Sequence, residues 1–423
     1  MARTLTPQDC HVLMNELVKQ ATGQTNMQAV NTSTFISCGE TVLKTGIENT
    51  INSLAIVIGR TFMAVRPYNA KFRLINALNT GAYTSRMRKI SFFSQDSKAS
   101  GYYNTNLYTN LKGGFTNGQN EKDGNAQSTK SMWEQNPAVA LEMNFGGTST
   151  WQDSITMYEE QLKMAFRNEI EFGQFVSGIM TEKANDIETQ KEAFNRMITL
   201  NHIAGVYDMS ESMHNSAVNL TAEFNAKYGT QYTSAELRTT YLKEFLAFFV
   251  SEFKKRSDFM TERSANYHWS PTKTVNGVDY KLLRHTPKDR QRAMLYQPLF
   301  TDATANVLPE IFNLEYLKID NYEGVNFWQS VDERASINVT PAIVDTTTGE
   351  QKAGTEVNLD YVVGILYDVD ACMVDYQLEM ANTTPLEARK GFRNIWWTFA
   401  KNGINDFTEN AIIFYMEDEG AGA

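Results

Sequence analysis

A tract between about Ile90 and Asn136 constrains the fold of this chain more than any other feature of its sequence. It is dense in Gly, Asn, Ser and Thr with aromatic residues among them, a composition typical of strands and turns and not of helices. A structureless stretch of this length is unusual inside a compact domain. The tract therefore predicts an extended β-hairpin that projects from the body, with Asn117-Gly118 or Asp123-Gly124 near its tip.

The alternative is a disordered surface loop, because tracts of low hydrophobicity often stay disordered. Aromatic side chains within the tract argue against disorder, since they need a surface to pack on. A projecting hairpin has to find that surface on another chain. The aromatic residues are Phe92, Phe93, Tyr102, Tyr103, Tyr108, Phe115 and Trp133.

A long helical region is predicted to begin near Thr150 and to end near His202. Thr150 and Asp153 have the spacing of a capping box, and apolar residues then recur at helical intervals. Glycines at positions 173 and 178 are costly inside a helix. They leave two alternatives open, one continuous rod or two helices with a break between them.

A second helix is predicted from Thr233 to about Glu262, since Thr233 and Glu236 complete another capping box before an aromatic stripe. The remaining chain has the pattern of short strands and one helix. It ends in a predicted hairpin of Asn394 to Phe399 with Ala411 to Met416. This order of elements predicts an α+β fold with long excursions from a mixed body.

The first 60 residues predict an arm with one short amphipathic helix and little core of its own. Such an arm needs an anchor, and a neighbouring subunit would supply it. The terminus lacks the apolar core of a signal peptide, and a mean hydropathy of −0.40 leaves no window that could span a bilayer. We therefore expect synthesis in the cytoplasm and no membrane contact.

Charge is unevenly distributed along the chain, whose net charge is −10. Residues 61 to 152 contain ten basic and five acidic residues, whereas residues 153 to 209 contain five basic and ten acidic residues. This pattern favours a contact between subunits, in which the basic limb of one lies across the acidic helix of the next. Two solvated faces that never meet are the alternative.

The candidate residues of this self-assembly interface fall into a basic and an acidic group. The basic group consists of Arg66, Arg73, Arg86, Arg88, Lys89 and Lys112. The acidic group consists of Glu159, Glu160, Glu169 and Glu171.

Catalytic, metal and cofactor motifs are missing from the sequence. It has no HExxH, GxSxG, Walker A, GxGxxG or kinase motif, and its three cysteines lack metal-ligand spacing. Abundant carboxylates and aromatics keep a glycoside hydrolase as the competing class, but the paired acids fit surface groups better. These pairs are Glu159-Glu160, Asp332-Glu333 and Asp368 with Asp370. We expect no enzyme, no cofactor and no metal, and the net acidity disfavours a dedicated nucleic-acid binder.

The carboxyl-terminal sequence RNIWWTFAKNGINDFTENAIIFYMEDE, from Arg393 to Glu419, resembles a signature of tailed-bacteriophage major capsid proteins, as in podovirus-like gut phages. Three upstream segments extend the similarity in the usual order of the family. They are His285 to Phe300, Val363 to Ala371, and the turn Thr383-Thr384-Pro385. The resemblance covers about a third of the chain, and none of the four segments is a catalytic motif.

This resemblance implies a Hong Kong 97-type fold with five parts. They are an N-terminal arm (1–60), an extended loop and its base (61–150), a spine helix of the peripheral domain (151–209), an axial domain with parts of the peripheral sheet (210–380), and a C-terminal β-hairpin of the peripheral domain (381–423). In that family the extended loop lies over the spine helix of the neighbouring subunit.

The same resemblance implies a major capsid protein that self-assembles into hexamers and pentamers of an icosahedral head around double-stranded DNA. Portal, scaffolding and decoration proteins would be its further partners, and the virion its location. The alternatives are another virion subunit, such as a tail tube or sheath protein, and a carbohydrate-active hydrolase.

Overall fold

We describe a computed structural model of the chain. It describes residues 7–46, 49–50, 53–54, 72, 74–78, 87–94, 138–147, 149–158, 161, 169–275, 278–306, 322–387 and 389–418. The middle and tip of the predicted hairpin, including Asn117-Gly118 and Asp123-Gly124, lie outside these residues.

Helices and strands alternate in the irregular order of an α+β protein, which confirms the predicted class. The helices are α1 (Pro7–Thr22), α2 (Thr32–Lys44), α3 (Glu169–Asp208), α4 (Leu220–Tyr228), α5 (Ser234–Thr239), α6 (Leu242–Phe259) and α7 (Gln297–Asn306). The strands are β1 (Asn76–Leu78), β2 (Met87–Phe92), β3 (Ala140–Phe145), β4 (Ser149–Tyr158), β5 (Ala217–Asn219), β6 (Thr272–Val275), β7 (Val278–Lys281), β8 (Gln291–Tyr296), β9 (Tyr322–Val325), β10 (Ile337–Val339), β11 (Ala342–Val344), β12 (Gln351–Ala353), β13 (Val357–Leu359), β14 (Val362–Asp368), β15 (Cys372–Thr383), β16 (Phe392–Asn405) and β17 (Ala411–Tyr415).

The larger core surrounds a five-stranded sheet with the strand order β5-β17-β14-β8-β9. Its central strand β14 is buried at every position, as its continuous apolar sequence requires. Successive residues of β17 face opposite sides, so Phe414 packs on Phe249 and Phe253 of α6 while Tyr415 packs on Tyr207 of α3. Helices α6 and α3 therefore cover the two faces of this sheet.

A four-stranded sheet with the order β1-β15-β16-β4 builds the smaller core. Strand β16 pairs with β15 on one side and with β4 on the other. The predicted terminal hairpin is therefore wrong, because β16 and β17 belong to different sheets and do not pair with each other. Both segments are strands as predicted, but the buried loop 406–410 carries the chain from one sheet to the other.

Helices α1 and α2 complete the smaller core, so the prediction of an arm without its own core is wrong. Their apolar side chains, among them Met14 and Phe35, pack with Ile395 and Trp397 of β16. The helices come close to α3 as well, since a Cβ at Gly173 would lie 2.7 Å from the Cys10 Sγ atom. Two amphipathic helices pack together here, where the sequence indicated only one.

The start of the long helix also differs from the prediction. Residues 149–158 form β4, which pairs with β16 in an unbroken register from Ser149 to Tyr158, and α3 begins at Glu169. The capping-box spacing of Thr150 and Asp153 was misleading because a ten-residue ladder with a neighbouring strand outweighs a local cap. Helix α3 is one continuous rod through both glycines, which decides between the two alternatives.

Thr233 does begin a helix, and its capping box is confirmed. The Glu236 amide donates to the Thr233 hydroxyl at 3.2 Å, and the Thr233 amide donates to the Glu236 carboxylate at 2.8 Å. The helix is interrupted after Thr239, however, and continues from Leu242 as α6.

Strands β2 and β3 form the base of the predicted hairpin. They pair antiparallel from Met87 opposite Phe145 to Phe92 opposite Ala140. Strand β3 leads into β4 through Gly146 and Gly147 without pairing with it. The hairpin is therefore a two-stranded unit outside the two main sheets. Beyond Phe92, Ser94 also forms an antiparallel bridge with Lys281 at the end of β7.

Replacing either tryptophan of β16 tests this packing. Trp397 is only 4% exposed in the smaller core, whereas Trp396 on the opposite side of the strand is 37% exposed. Trp397→Ala is expected to lower the free energy of unfolding by about 3–5 kcal/mol, because it leaves a cavity in a packed core. Trp396→Ala is the matched control and should cost much less in urea denaturation. Equal losses would contradict the assignment of the two faces.

Candidate functional site

The loop 406–410, with the sequence Asp-Phe-Thr-Glu-Asn, is buried between the two sheets. Buried polar groups have to be satisfied by hydrogen bonds or ion pairs, or they cost folding free energy. The loop side chains therefore bind partners from several distant parts of the chain. We call this loop and its partners the junction.

Lys89 of strand β2 attaches the hairpin to the junction. Its ammonium group donates to the carboxylates of Asp406 and Glu409, the latter at 2.5 Å. Burial alone would lower the pKa of Lys89, but the two carboxylates outweigh it and the pKa is raised above its usual value. The ammonium form is thus stabilised in the folded protein.

Arg284 adds a second cation to the same cluster. Its guanidinium lies 3.3 Å from the Glu409 carboxylate, donates to the Thr408 carbonyl at 3.1 Å and donates to the Ser91 hydroxyl at 2.7 Å. Burial raises the pKa of Glu409, and Lys89 and Arg284 oppose that shift. Two cations face two carboxylates, so the cluster has no net charge when all four are ionised.

Asn410 links the junction to strand β14. Its amide nitrogen donates to the Thr286 hydroxyl at 3.1 Å, and that hydroxyl donates to the Asp368 carboxylate at 2.9 Å. The Asn410 side-chain oxygen lies 3.0 Å from Nδ1 of His268. Arg290 contacts Asp368 at 3.2 Å and Asp370 at 2.5 Å, so this acid pair is salt-bridged. Asp368 is buried, however, and is not the surface group that the sequence indicated.

Phe407 joins the junction to the long helix. Its ring stacks on the ring of His202 in α3, with centroids 5.1 Å apart and an angle of 8° between the planes. A Cβ at Gly205, one turn further along α3, would collide with the Phe407 ring, so the glycine allows the close approach. Among the described residues neither ring nitrogen of His202 has a hydrogen-bond partner. Burial lowers the pKa of His202 to about 4, and nearby Asp406 opposes this shift.

This arrangement holds parts of the chain together. It connects the hairpin base, α3 and β14 through one loop. Across the described ranges, no cluster of three or more His, Cys, Asp or Glu side chains could hold a metal ion. No helix in the described part of the chain is long and apolar enough to cross a bilayer.

The predicted interface residues lie in different surroundings, and only some of them are among the described residues. Lys89 is bound within its own subunit, and Arg88 forms an exposed ion pair with Glu142 across the hairpin at 2.6 Å. Glu169 and Glu171 lie in the first turn of α3. Six candidates lie outside the described residues, so their interface role stays a prediction. These six are Arg66, Arg73, Arg86, Lys112, Glu159 and Glu160.

In the sequence, the loop 406–410 stands out only as part of the family resemblance. No local pattern indicates a partner for Asp406 or Glu409, which are separated from Lys89 by more than 300 residues. The signal that could have found them is two acids flanked on both sides by strongly apolar strands. Acids in such surroundings are rarely buried without a cation.

Comparison with known proteins finds structures that are similar to this chain at low sequence identity. No protein-family model matches the sequence, and no curated protein matches it. The chain is similar to the capsid structure of Staphylococcus phage Andhra, with 10% identity over 83% of this chain and 85% of that chain and a TM-score of 0.49. It is similar as well to the structure of head fiber and inner core protein gp22 of native bacteriophage P68, with 10% identity over 81% of this chain and 83% of that chain and a TM-score of 0.46. The chain is also similar to the capsid structure of the Cyanophage P-SCSP1u, with 10% identity over 83% of this chain and 89% of that chain and a TM-score of 0.41.

Removing the Lys89 cation tests the junction. Lys89→Met is expected to lower the free energy of unfolding by about 3–5 kcal/mol, because two buried carboxylates lose a partner. Arg88→Met removes the neighbouring, exposed ion pair and should change stability little, since solvent screens such pairs. Urea denaturation of both variants measures the difference. If the two substitutions behave alike, Lys89 does not anchor the hairpin.

The pH dependence of stability tests the environment of His202. The pKa is about 4 in the folded protein and 6.5 as the ordinary value, so the unfolded chain binds more protons between these pH values. Stability is therefore expected to fall by about 3 kcal/mol as the pH drops from 7 through 4. His202→Leu should remove this part of the slope, whereas replacement of the exposed His285 by Gln should not. Unchanged slopes in the His202 variant would contradict the assignment.

Proposed function

We propose that this chain is the major capsid protein of a tailed phage, which self-assembles into the icosahedral head around double-stranded DNA. One observation carries the proposal. The hairpin is tied to its own subunit on one side by Lys89, while its other side leaves Ile90 51% and Phe92 66% exposed. A solvated hairpin with this much exposed apolar surface is suited to a contact with another chain.

The carboxyl-terminal resemblance supports the same function in physical terms. The segment Arg393 to Glu419, which resembles the capsid signature, contains β16, the junction loop and β17. These residues connect both sheets, the long helix and the hairpin base. A sequence signature at this position therefore corresponds to the part of the molecule that fixes the orientation of the projecting hairpin.

The resemblance that suggests this function also implies the five proposed parts of the chain. Helix α3 would be the spine, β2 and β3 the base of the extended loop, and the five-stranded sheet the centre of the axial domain. Helices α1 and α2 belong to the proposed arm, although they pack on their own subunit. The role is structural, with no catalytic step, and the protein would be located in the virion after assembly in the host cytoplasm.

The proposed partners are first of all other copies of this chain, in hexamers and pentamers. Portal, scaffolding and decoration proteins are further proposed partners, and the enclosed DNA would be held without sequence-specific contacts. The basic limb and the acidic candidates of α3 remain proposed contacts between copies. The net acidity of the chain suits a genome that has to be packaged and later released, because clustered cations would bind the DNA phosphates tightly.

Electron microscopy of particles is the direct test. The protein, expressed alone or with its neighbouring genes, is expected to form closed shells in negative stain. Each subunit is expected to bury an interface of about 2,000 Å² or more. Deletion of Gly101 to Lys130 should leave the circular dichroism of the body nearly unchanged and abolish the shells, because the hairpin makes its main contacts between copies. Light scattering gives the size of each species.

Other outcomes of the same experiment would contradict the proposal. Open tubes in place of closed shells would favour a tail tube or sheath subunit. A persistent monomer at high concentration with all partners present would exclude a shell protein. Intact shells from the deletion variant would contradict the role of the hairpin.

A further inference from the structure

Phe72 is a bulky residue in a left-handed backbone conformation. Its φ is +59°, in a region that glycine or asparagine normally occupies and that costs free energy for a bulky side chain. The side chain is nevertheless fully buried. Strained residues of this kind persist only where surrounding contacts impose the conformation, and they are concentrated at switch regions. The contacts of Phe72 therefore have to outweigh a local strain.

A socket on the long helix α3 and an adjoining loop supplies these contacts. The Phe72 ring lies 6.4 Å from the Trp328 ring, edge to face, and 5.1 Å from the Arg196 guanidinium of α3. The same guanidinium lies 3.8 Å from the Phe327 ring and 2.8 Å from the Glu192 carboxylate. Arg196 thus contacts two aromatic rings at once, and a cation in this position attracts both of them.

The residues that follow Phe72 are held less firmly. We call residues 72 and 74–78 the strap. Its Leu74 amide donates to the Glu323 carboxylate at 3.3 Å, and its strand β1 adds three residues in parallel to the edge of the four-stranded sheet. A long hydrogen bond and a short parallel pairing at an edge contribute little stability. Phe72 and Ile75 are the buried side chains of the strap, and the Phe72 ring is its largest contact with the body.

The strap connects both cores and precedes the hairpin base. Phe72 and Ile75 pack in the larger core, whereas β1 pairs with β15 of the four-stranded sheet. Strand β2 of the hairpin is the next described element along the chain. The hairpin itself is held separately, because Lys89 of β2 binds the junction.

We propose that the strap is a latch, which opens and closes on the body as one unit while the rest of the subunit stays folded. Its largest contact is opposed by backbone strain at the same residue, so the free energy that closes the strap is reduced. Segments with few buried contacts open locally in this way. Lys89 remains bound in the junction when the strap opens, so the hairpin stays attached. The inference goes beyond the proposed function and does not depend on it, because it concerns the unassembled subunit.

Hydrogen exchange of the unassembled full-length subunit is the first test. Peptides that contain residues 74–78 are expected to exchange at least about tenfold faster than peptides of the buried strand β14, with little dependence on urea below the unfolding transition. Such a pattern indicates an opening that exposes little surface. Exchange of the strap at the rate of β14, and with its urea dependence, would overturn the inference.

Substitutions at Phe72 distinguish a latch from simple fraying of β1, since fraying would not depend on this residue. Phe72→Ala removes the ring and retains the strain, whereas Phe72→Gly removes both, because glycine adopts a positive φ freely. Both variants are expected to speed exchange at residues 74–78 at least about tenfold and to leave β14 unchanged. The Gly variant should exchange about twofold or more slowly than the Ala variant.

Phe35 of helix α2 is the matched control, because it is equally buried but lies in an ordinary helical backbone. There the order should be reversed, with faster exchange of α2 in Phe35→Gly than in Phe35→Ala, since glycine is the costlier residue in a helix. Unchanged exchange of the strap in both Phe72 variants, or faster exchange in Phe72→Gly than in Phe72→Ala, would overturn the latch. Equal acceleration of β14, or loss of the fold, would also overturn it, because Phe72 would then hold the whole subunit together.

Discussion

The buried ion cluster of Lys89, Asp406, Glu409 and Arg284 is the interaction on which the arrangement of the molecule depends. Asp406 is fully buried, and a carboxylate in that position is stable only with a cation beside it. The cation comes from a strand more than 300 residues away in sequence. Folding of the carboxyl-terminal loop therefore requires the hairpin base to be in place, and the orientation of the hairpin is set by the same contact.

The cluster also helps to hold the two cores together within the subunit. The smaller core holds α1 and α2 on the four-stranded sheet, and the larger core surrounds the five-stranded sheet. Helix α3 contributes to both, through Ile187 and Ile203. The loop 406–410 is one of the covalent connections between the sheets, and its stack on His202 fixes it against that helix. A subunit built this way can hold β2 and β3, the base of the predicted hairpin, at a defined angle.

For the proposed assembly, a fixed angle matters more than affinity at any single contact. A ring closes only if each subunit repeats the same rotation to the next, and a loosely attached hairpin would not define that rotation. Neighbouring residues of one strand have two separate roles, attachment of the hairpin to its own subunit and the proposed contact with another chain. Lys89 and Ser91 anchor the hairpin to its own subunit, while Ile90 and Phe92 remain available to another.

The sequence by itself determined the features that depend on neighbouring residues. The alternation of β16, the capping box at Thr233 and the hairpin base all follow from local pattern and turn chemistry. Tertiary structure alone decided that residues 149–158 form a strand, that β16 and β17 part into different sheets, and that Lys89 meets Asp406. These outcomes depend on pairing free energies and buried charges between segments far apart in the chain, and no local pattern records which distant partner a residue will meet.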